Sequence, residues 1–247
     1  MIKGIYTSEA SMRPKMTRME VIANNLANIN STGFKKDRVF LEMLNESGAL
    51  PTDGRNDLTG INARHAVDFS QGSLQPTGNT FDLALQGRGF FAVSTPNGLR
   101  LTRNGHFQLN ADGGLVTAEG FPVQGDNGNV VVPNMDKRQL LNITINEAGE
   151  LLSDREPLAR LRIMDVAHPE QLHKDHEALF IPDAEQPAVD VPHDQVLVRQ
   201  GYLEESNVDG IEEMIAMIEL SRAFETDQKI IQSQDATLDR SLDIGRL

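Results

Sequence analysis

The 247-residue sequence contains no cysteine and no tryptophan, and only 5% of its residues are aromatic. The absence of cysteine excludes disulfide bonds, thiolate chemistry and metal sites with cysteine ligands. The scarcity of aromatic side chains predicts a core that rests on Leu, Ile, Val and Met. Such a core is typical of paired helices and small sheets rather than of a deep ligand pocket lined with rings.

Long apolar runs are also missing. No stretch approaches the ~20 apolar residues of a membrane-spanning helix, so we expect no direct membrane insertion. Residues 1–15 contain no apolar segment of the secretory type. If the protein works outside the cytoplasm, we therefore expect it to leave by a route that needs no cleaved signal peptide.

The net charge of −13 argues against nucleic-acid binding, because phosphate binding needs a basic surface. The charge is unevenly distributed along the chain. Residues 1–40 carry seven basic and three acidic residues, whereas residues 203–247 carry four basic and eleven acidic ones. The two ends have opposite net charge, which favours pairing between them, within one chain or between chains.

No constellation of catalytic, cofactor-binding or metal-binding residues stands out. His173 and His176 have the spacing of a metal site on a helix, and His168 lies nearby. However, the segment has weak helical periodicity and lies beside Pro169, so we interpret it as a polar loop. There is no Gly-x-Ser-x-Gly nucleophile motif. We expect no enzyme, no cofactor and no metal.

The N-terminal segment has apolar residues at heptad spacing, which predicts a helix with a coiled-coil seam. These residues are Ile5, Met12, Met19 and Leu26, with a second row at Ile22 and Ile29 and with Met16 and Ala23 beside them. Pro14 lacks an amide donor, so it predicts either a kink or a helix that begins near Arg13. We expect the helix to end near Asn30, with Gly33 at positive φ in the turn that follows.

The C-terminal segment is the clearest helix, predicted from Asp209 to about Asp243. Its seam is formed by Met217, Phe224, Ile231 and Leu238, and is widened by Met214 and Leu220. Residues 206–209 have the form of a capping box in which Ser206 or Asn207 binds the first free amides. A long helix with one apolar stripe needs a partner, and the N-terminal helix has the matching stripe.

Between the helices the pattern changes to strands. Asn97-Gly98, Asn104-Gly105, Asp112-Gly113 and Asn127-Gly128 separate short apolar runs, and such dipeptides are strong hairpin signals. The predicted class is α+β, with N- and C-terminal helices pairing as a coiled coil around a central, mainly antiparallel β domain. The predicted segments are a helix and exit turn (1–44), an extended connector (45–80), the β domain (81–203) and the C-terminal helix (204–247).

Several segments resemble the flagellar basal-body rod and hook proteins. Residues 23–35, in which four asparagines precede Gly33 and Phe34, resemble the N-terminal signature of that family. Residues 81–93 and 101–107 resemble the start of its central β domain, and residues 200–208 and 217–228 resemble its C-terminal entry and helix. The length and the closing run 229–247 resemble the proximal-rod type, FlgF, and the distal-rod type, FlgG, is the alternative.

This resemblance implies a structural subunit that polymerises into a tubular axial structure. It implies that the terminal helices pair in the inner layer while the β domain faces outward. It also implies export by the flagellar type III apparatus, a location in the periplasm-spanning rod, and as partners copies of the chain, other rod subunits and hook–basal-body neighbours.

Two other classes remain open from the residues alone: a binding module or hydrolase built on the β domain with helices that dimerise, and a virion-tail or adhesin-like polymer. For the rod subunit, the predicted assembly interface comprises Ile5, Met12, Met16, Met19, Ile22, Ala23, Asn24, Asn25, Leu26, Asn28, Ile29, Gly33, Phe34, Asn207, Met214, Met217, Phe224, Ile231 and Leu238.

Overall fold

The computed structural model describes residues 2–43, 61–132, 143–153, 156–175, 178–182, 187–192, 195 and 197–244, with side chains in these ranges except at 2–11, 41–43, 61–65, 171, 235 and 238–244. The chain is an α+β protein that divides into two compact units. The helical unit holds the described residues of Met1–Ala27, Asp37–Ala66 and Asp209–Leu247. The β unit holds those of Asn28–Lys36 and Val67–Val208.

The helical unit contains helices α1 (Ile2–Ala27) and α2 (Gly210–Ile244), strand β1 (Asp37–Met43) and most of strand β2 (Ile61–Val67), which pairs with β1. The two helices pack against each other, and α1 also packs against β1. Lys15 binds Asp227 while Asn25 binds Glu213, so the helices run antiparallel. In the described part of the chain, no helix combines the length and apolarity needed to cross a membrane.

Helix α1 continues through Pro14 and begins at Ile2. Of the two predicted alternatives, the start near Arg13 is therefore wrong, and a kink at Pro14 stays a prediction. The helix ends at Ala27, three residues before the predicted Asn30. In the β unit, Asn28 starts a turn instead, because its backbone carbonyl and its side-chain oxygen accept hydrogen bonds from the amide and the hydroxyl of Ser31. Local Asn and Ser bonds of this kind compete with the helix.

The β unit contains the remaining strands. In chain order these are β3 (Leu74–Pro76), β4 (Leu83–Leu85), β5 (Phe90–Thr95), β6 (Gly98–Thr102), β7 (Phe107–Leu109), β8 (Leu115–Thr117), β9 (Gln124–Gly125), β10 (Gly128–Asn129), β11 (Ile143–Ile145), β12 (Glu150–Ser153), β13 (Glu156–Arg160), β14 (Ile163–Asp165), β15 (His173–Lys174), β16 (Leu179–Ile181), β17 (Val189–Asp190), β18 (Val198–Gln200) and β19 (Tyr202–Glu204). A 3-10 turn occupies Pro169–Gln171. Part of the predicted connector, residues 45–80, is therefore strand, namely β2 and β3.

Antiparallel pairing organises these strands into several small sheets. Six of them form one sheet in the order β15-β16-β6-β5-β14-β17, and β11-β12-β13 form a second sheet. The pairs β4–β18 and β3–β19 join the two ends of the unit's sequence, while β7–β8 and β9–β10 are local hairpins. His173 lies in strand β15 rather than in the predicted polar loop, and His176 lies outside the described residues.

Three of the four predicted turn dipeptides lie in hairpins: β5–β6, β7–β8 and β9–β10. The fourth, Asn104-Gly105, joins β6 to β7, which pair with other strands. Gly105 is required there for a different reason, because a Cβ on it would lie 1.6 Å from the carbonyl oxygen of Leu83. A glycine at such a site marks a close approach of two backbones rather than a tight turn.

The core of the β unit rests mainly on Leu, Ile and Val, as predicted, with a few phenylalanine rings among them. Strand β5 alternates its side chains between two clusters, with Phe91 in one and Phe90 in the other. Phe91 packs edge to face on Phe107, and Phe90 packs in the same way on Phe180. The few rings are thus concentrated where they bury most area.

Helix α2 begins close to its predicted start but with a different cap. The Asp209 carboxylate accepts hydrogen bonds from the amides of Ile211 (2.9 Å) and Glu212 (3.2 Å), so Asp209 is the N-cap. Ser206 instead accepts a bond from the amide of Val208, before the helix. The capping box predicted at residues 206–209 is therefore wrong: its last residue caps the helix.

We expect Asp209→Ala to lower the free energy of unfolding by about 1 kcal/mol, because the first free amides of α2 lose their acceptor. Ser206→Ala is the matched control and should change it by less than about 0.5 kcal/mol. Urea unfolding followed by circular dichroism measures both. A larger effect of Ser206→Ala than of Asp209→Ala would contradict the assignment.

Candidate functional site

Three distant chain segments meet in the β unit, and we call their meeting point the exit node: residues 33–36, 68–72 and 204–207. The Gly33 amide donates to the Glu204 carbonyl (2.7 Å), and the Gly72 amide donates to the Glu204 carboxylate (3.0 Å). The Asp68 amide donates to the Lys36 carbonyl (2.8 Å). The node therefore joins the segment that follows α1 to the segment that precedes α2.

A buried cluster of three charges lies at the centre of the exit node. Lys35 Nζ is 2.5 Å from Glu204 Oε1, and Arg103 Nη1 is 3.3 Å from Glu204 Oε2. The side chains of Lys35 and Glu204 are fully buried, and that of Arg103 is 6% exposed. Lys35 also donates to the Ser70 carbonyl (2.8 Å), and Arg103 Nη2 donates to the Gly87 carbonyl (2.6 Å). These bonds satisfy charges that would be very costly to bury alone.

The pKa values of the two cations reflect this environment. Burial lowers the pKa of Lys35 below its ordinary value, while Glu204 favours the charged ammonium and opposes that effect. Burial likewise lowers the pKa of Arg103, and Glu204 again opposes it. For both cations Glu204 therefore stabilises the charged form inside the protein.

Gly33 and Phe34 anchor the same segment. Gly33 has φ of +68°, and a Cβ on it would lie 2.4 Å from the amide nitrogen of Asn104, so only glycine fits. Phe34 is 1% exposed, and Lys174 Nζ lies 3.7 Å from the centroid of its ring. Both residues belonged to the predicted assembly interface, and in the single chain both are buried in the β unit.

In the helical unit, α2 presents a mixed inner face towards α1. Glu213 and Asp227, which bind Asn25 and Lys15, mark this face. At helical spacing between and beyond them lie Met217, Leu220, Phe224 and Ile231, all buried or half-buried. The predicted seam of α2 therefore faces α1 over its described part.

The opposite face of α2 carries a second apolar stripe, which we call the outer stripe: Ile211, Met214, Ile215 and Ile218. These residues follow the i, i+3, i+4, i+7 spacing of one helix face. Their exposed fractions are 69%, 48%, 53% and 54%. Met214, predicted to widen the inner seam, lies in this stripe instead, because it is about a sixth of a turn from Met217 and about a third of a turn from Leu220 around the helix axis.

The described side chains of α1 also divide between two faces. Ile22 and Asn25 are buried, and Met12, Met19 and Leu26 are half-buried. Met16, Ala23 and Asn24 are exposed. In the β unit, Asn28, Ile29 and Asn207 are half-buried. Ile5 and Leu238 are also predicted interface residues, but their side chains lie outside the described ones.

Two sets of residues were not predicted from the sequence. The outer stripe has a signal in the sequence, because its apolar residues follow helical spacing beside the heptad repeat. The cluster of Lys35, Arg103 and Glu204 had none, because each residue taken alone resembles an ordinary surface charge. Only the approach of three distant segments shows that they form one buried group.

Outside the node, Asp82 and His106 form a second polar pair in the β unit. His106 Nδ1 lies 2.8 Å from Asp82 Oδ1, and Asn79 donates to Asp82 Oδ2 (2.8 Å). Burial alone would raise the pKa of Asp82, but hydrogen bonds from Thr77, Asn79 and His106 together outweigh it and lower the pKa. Among the described residues, no group of His, Asp and Glu side chains has the arrangement of a metal site.

Three segments of the chain match models of known protein families. Residues 5–35 match the family model "Flagella basal body rod protein", residues 84–153 match "Flagellar hook protein FlgE/F/G D1 domain", and residues 199–244 match "Flagellar basal body rod FlgEFG protein C-terminal". The matched segments include most of α1, all of α2 and part of the β unit. Of the node segments they include 204–207 in full and 33–36 in part.

Whole-length relatives agree with the family models. The chain is 32% identical to the flagellar basal-body rod protein FlgG of Agrobacterium fabrum, over 95% of this chain and 96% of that protein. It is 31% identical to FlgF of Caulobacter vibrioides (98% and 96%) and 30% identical to FlgG of Bacillus subtilis (100% and 100%).

These similarities define a structural protein of the bacterial flagellum. The chain belongs to the flagellar basal-body rod family, as the resemblance implied, and it is a subunit of the rod in the basal body rather than an enzyme.

We expect Lys35→Met to lower the free energy of unfolding by about 3–5 kcal/mol, because it leaves Glu204 buried without its nearest cation. Lys15→Met is the matched control, since Lys15 is also 2.5 Å from its partner, Asp227, but both side chains are partly exposed. Its effect should be at most about 1 kcal/mol. Urea unfolding of both variants measures the difference, and equal effects would contradict the role of burial.

The Asp82 pair predicts a dependence of stability on pH. Its folded pKa lies below the ordinary value of 3.8, so the pair stabilises the fold at pH values above the ordinary pKa. This contribution is lost as the pH falls from about 5 through the folded pKa. Thermal unfolding between pH 7 and 3 should therefore show a smaller loss of stability in Asp82→Asn than in the wild type. The exposed Asp112→Asn should follow the wild type, and a parallel profile for Asp82→Asn would contradict the prediction.

Proposed function

We propose that this rod subunit polymerises through its helical unit, with α1 and α2 acting as an antiparallel coiled-coil pair whose outer faces contact neighbouring copies and other axial proteins. The observation that carries the proposal is the outer stripe. Four large apolar side chains at helical spacing are about half exposed or more in the single chain. Contiguous exposed apolar surface of this kind marks protein interaction sites.

The arrangement of the helix pair supports separate roles for the two faces of α2. The inner face of α2 is already occupied within the chain through Glu213 and Asp227. The outer stripe is on the other side of the same helix and so remains available to another subunit. Contact between different surfaces of successive copies generates open helical assemblies rather than closed dimers.

We further propose that the chain is of the proximal-rod type, FlgF. The alignment with FlgF of Caulobacter vibrioides spans 249 positions for 98% of this chain, whereas the alignment with FlgG of Agrobacterium fabrum needs 259 positions for 95%. The FlgF alignment therefore requires fewer gaps. FlgG remains the second candidate, because the identities are nearly equal. Imaging of basal bodies in a deletion strain tests the choice: a rod that ends at its base supports FlgF, and a rod that lacks only its distal part supports FlgG.

Export by the flagellar type III apparatus without a cleaved signal peptide belongs to the same proposal. It is supported by membership of the rod family. Intact-mass measurement of the subunit in purified basal bodies tests it, and a mass that lacks an N-terminal segment would contradict it.

We expect Ile215→Glu to abolish rod assembly, reducing complete basal bodies by at least about tenfold, because a charge in the outer stripe cannot be buried between subunits. The fold should persist, since Ile215 is exposed in the single chain. Electron microscopy of basal bodies and a motility assay in a complemented deletion strain measure the effect, with circular dichroism of the purified variant as the test of folding.

Val131→Glu is the matched control. Val131 is 50% exposed, close to the 53% of Ile215, but it lies in the β unit. It introduces the same charge at a similarly exposed apolar position. Normal assembly of Ile215→Glu would overturn the proposal that the outer stripe is the interface.

A further inference from the structure

The chain passes from the β unit to the helical unit between Lys36 and Asp37. The backbone amides of these consecutive residues are held by two asparagine side chains from opposite ends of the sequence. Asn207, in the β unit, accepts from the Lys36 amide at 2.7 Å. Asn25, in the helical unit, accepts from the Asp37 amide at 2.9 Å.

In the β unit, Asn207 is interposed between two backbone segments. Its Oδ1 accepts from the Lys36 amide, while its Nδ2 donates to the carbonyl of Asp68 (2.8 Å) and to the carbonyl and hydroxyl of Ser70 (3.1 and 3.0 Å). Beside it, the Asp68 amide donates directly to the Lys36 carbonyl. Asn207 therefore fastens the segment after α1 to the segment after β2.

In the helical unit, Asn25 does the equivalent on its own side. Its Oδ1 accepts from the Asp37 amide, and its Nδ2 donates to the Asp37 carbonyl (2.9 Å) and to Glu213 Oε2 (3.3 Å). Asn25 is 1% exposed and Glu213 is 4% exposed. Asn25 thus fastens the last turn of α1 to the first residue of β1 and to the first turns of α2.

The chemistry of the amide group explains why both positions are asparagine. Each side chain must accept from one backbone N–H and donate to a backbone carbonyl, and an amide does both without charge. Aspartate would keep the acceptor but lose the donor, and leucine of similar shape would lose both. A buried amide that loses its partners is costly, so the two side chains hold the backbone firmly.

We propose that Asn25 and Asn207 act as positioning residues, each within its own unit: Asn207 holds the Lys36 amide in the β unit, and Asn25 holds the Asp37 amide in the helical unit. We call these two side chains the clamp. The proposal builds on the proposed function, since Asn25 ties α1 to β1 and to α2 within the helical unit through which the subunit is proposed to assemble. The clamp itself is a property of the single chain and can be measured before any assembly.

The test is amide hydrogen exchange in the full-length monomer, followed by NMR. Asn207→Leu should raise the exchange rate of the Lys36 amide by about tenfold or more while the Asp37 amide stays protected. Asn25→Leu should raise the exchange rate of the Asp37 amide while the Lys36 amide stays protected. Asn207→Asp should keep the Lys36 amide protected, because a carboxylate oxygen still accepts its hydrogen bond. It should lose the hydrogen bonds that the side-chain NH2 donates to Asp68 and Ser70.

Asn30→Leu is the matched control, because Asn30 belongs to the same asparagine-rich segment and its side chain is exposed. It should leave the exchange rates of the Lys36 and Asp37 amides unchanged. None of the variants should change the exchange rate of the Phe91 amide, which lies in the core. Unchanged protection of Lys36 in Asn207→Leu, or equal loss at Lys36, Asp37 and Phe91 in both leucine variants, would overturn the clamp.

The same variants separate the clamp from the assembly proposal. In Asn25→Leu, faster exchange of the Asp37 amide alone, together with shortened or missing rods in the complemented strain, supports both. Faster exchange of that amide alone, together with normal rods, overturns the positioning role in assembly. The proposal that the outer stripe is the interface is then unaffected. Failure of the Ile215→Glu prediction would overturn the interface and leave the exchange result standing.

Discussion

The buried contact of Glu204 with Lys35 and Arg103 is the interaction on which the β unit depends. The three residues come from distant parts of the chain, and none of them can be buried without the others. Their burial therefore forces the segment after α1, the loop after β6 and the last strand into one place. The chain enters and leaves the β unit at the exit node, so the terminal segments are fixed by electrostatics as well as by apolar packing.

Helix α2 has two apolar faces with different uses. The inner face contains Glu213 and Asp227 among its apolar residues, and these acidic groups bind Asn25 and Lys15 on α1. The opposite charges of the two chain ends are thus partly used within one molecule. The outer stripe is purely apolar and has no such partner in its own helix pair, which suits a surface that is buried only when another subunit arrives.

The family signature at residues 23–35 combines several physical tasks. Asn25 holds the start of β1, Gly33 fits where no other residue can, and Lys35 supplies one of the buried charges. At the other end, Glu204 and Asn207 complete the same contacts. These residues at the two ends of the chain therefore act within the single chain, where they set the path of the backbone. Subunit contacts can then be carried by the exposed faces of the helices.

The sequence alone determined the α+β class, the two terminal helices and most of the strands, because periodicity and turn residues act over short distances along the chain. The rod family was indicated by the resemblance of several motifs to known members. The heptad repeat indicated the inner face of α2, but the sequence analysis did not identify the outer stripe as a second apolar face, which the position of α1 leaves exposed. It also could not show that Lys35, Arg103 and Glu204 are buried, or that Asn25 and Asn207 hold consecutive amides. Those features arise from contacts between residues far apart in the chain, and only the tertiary structure brings them within bonding distance.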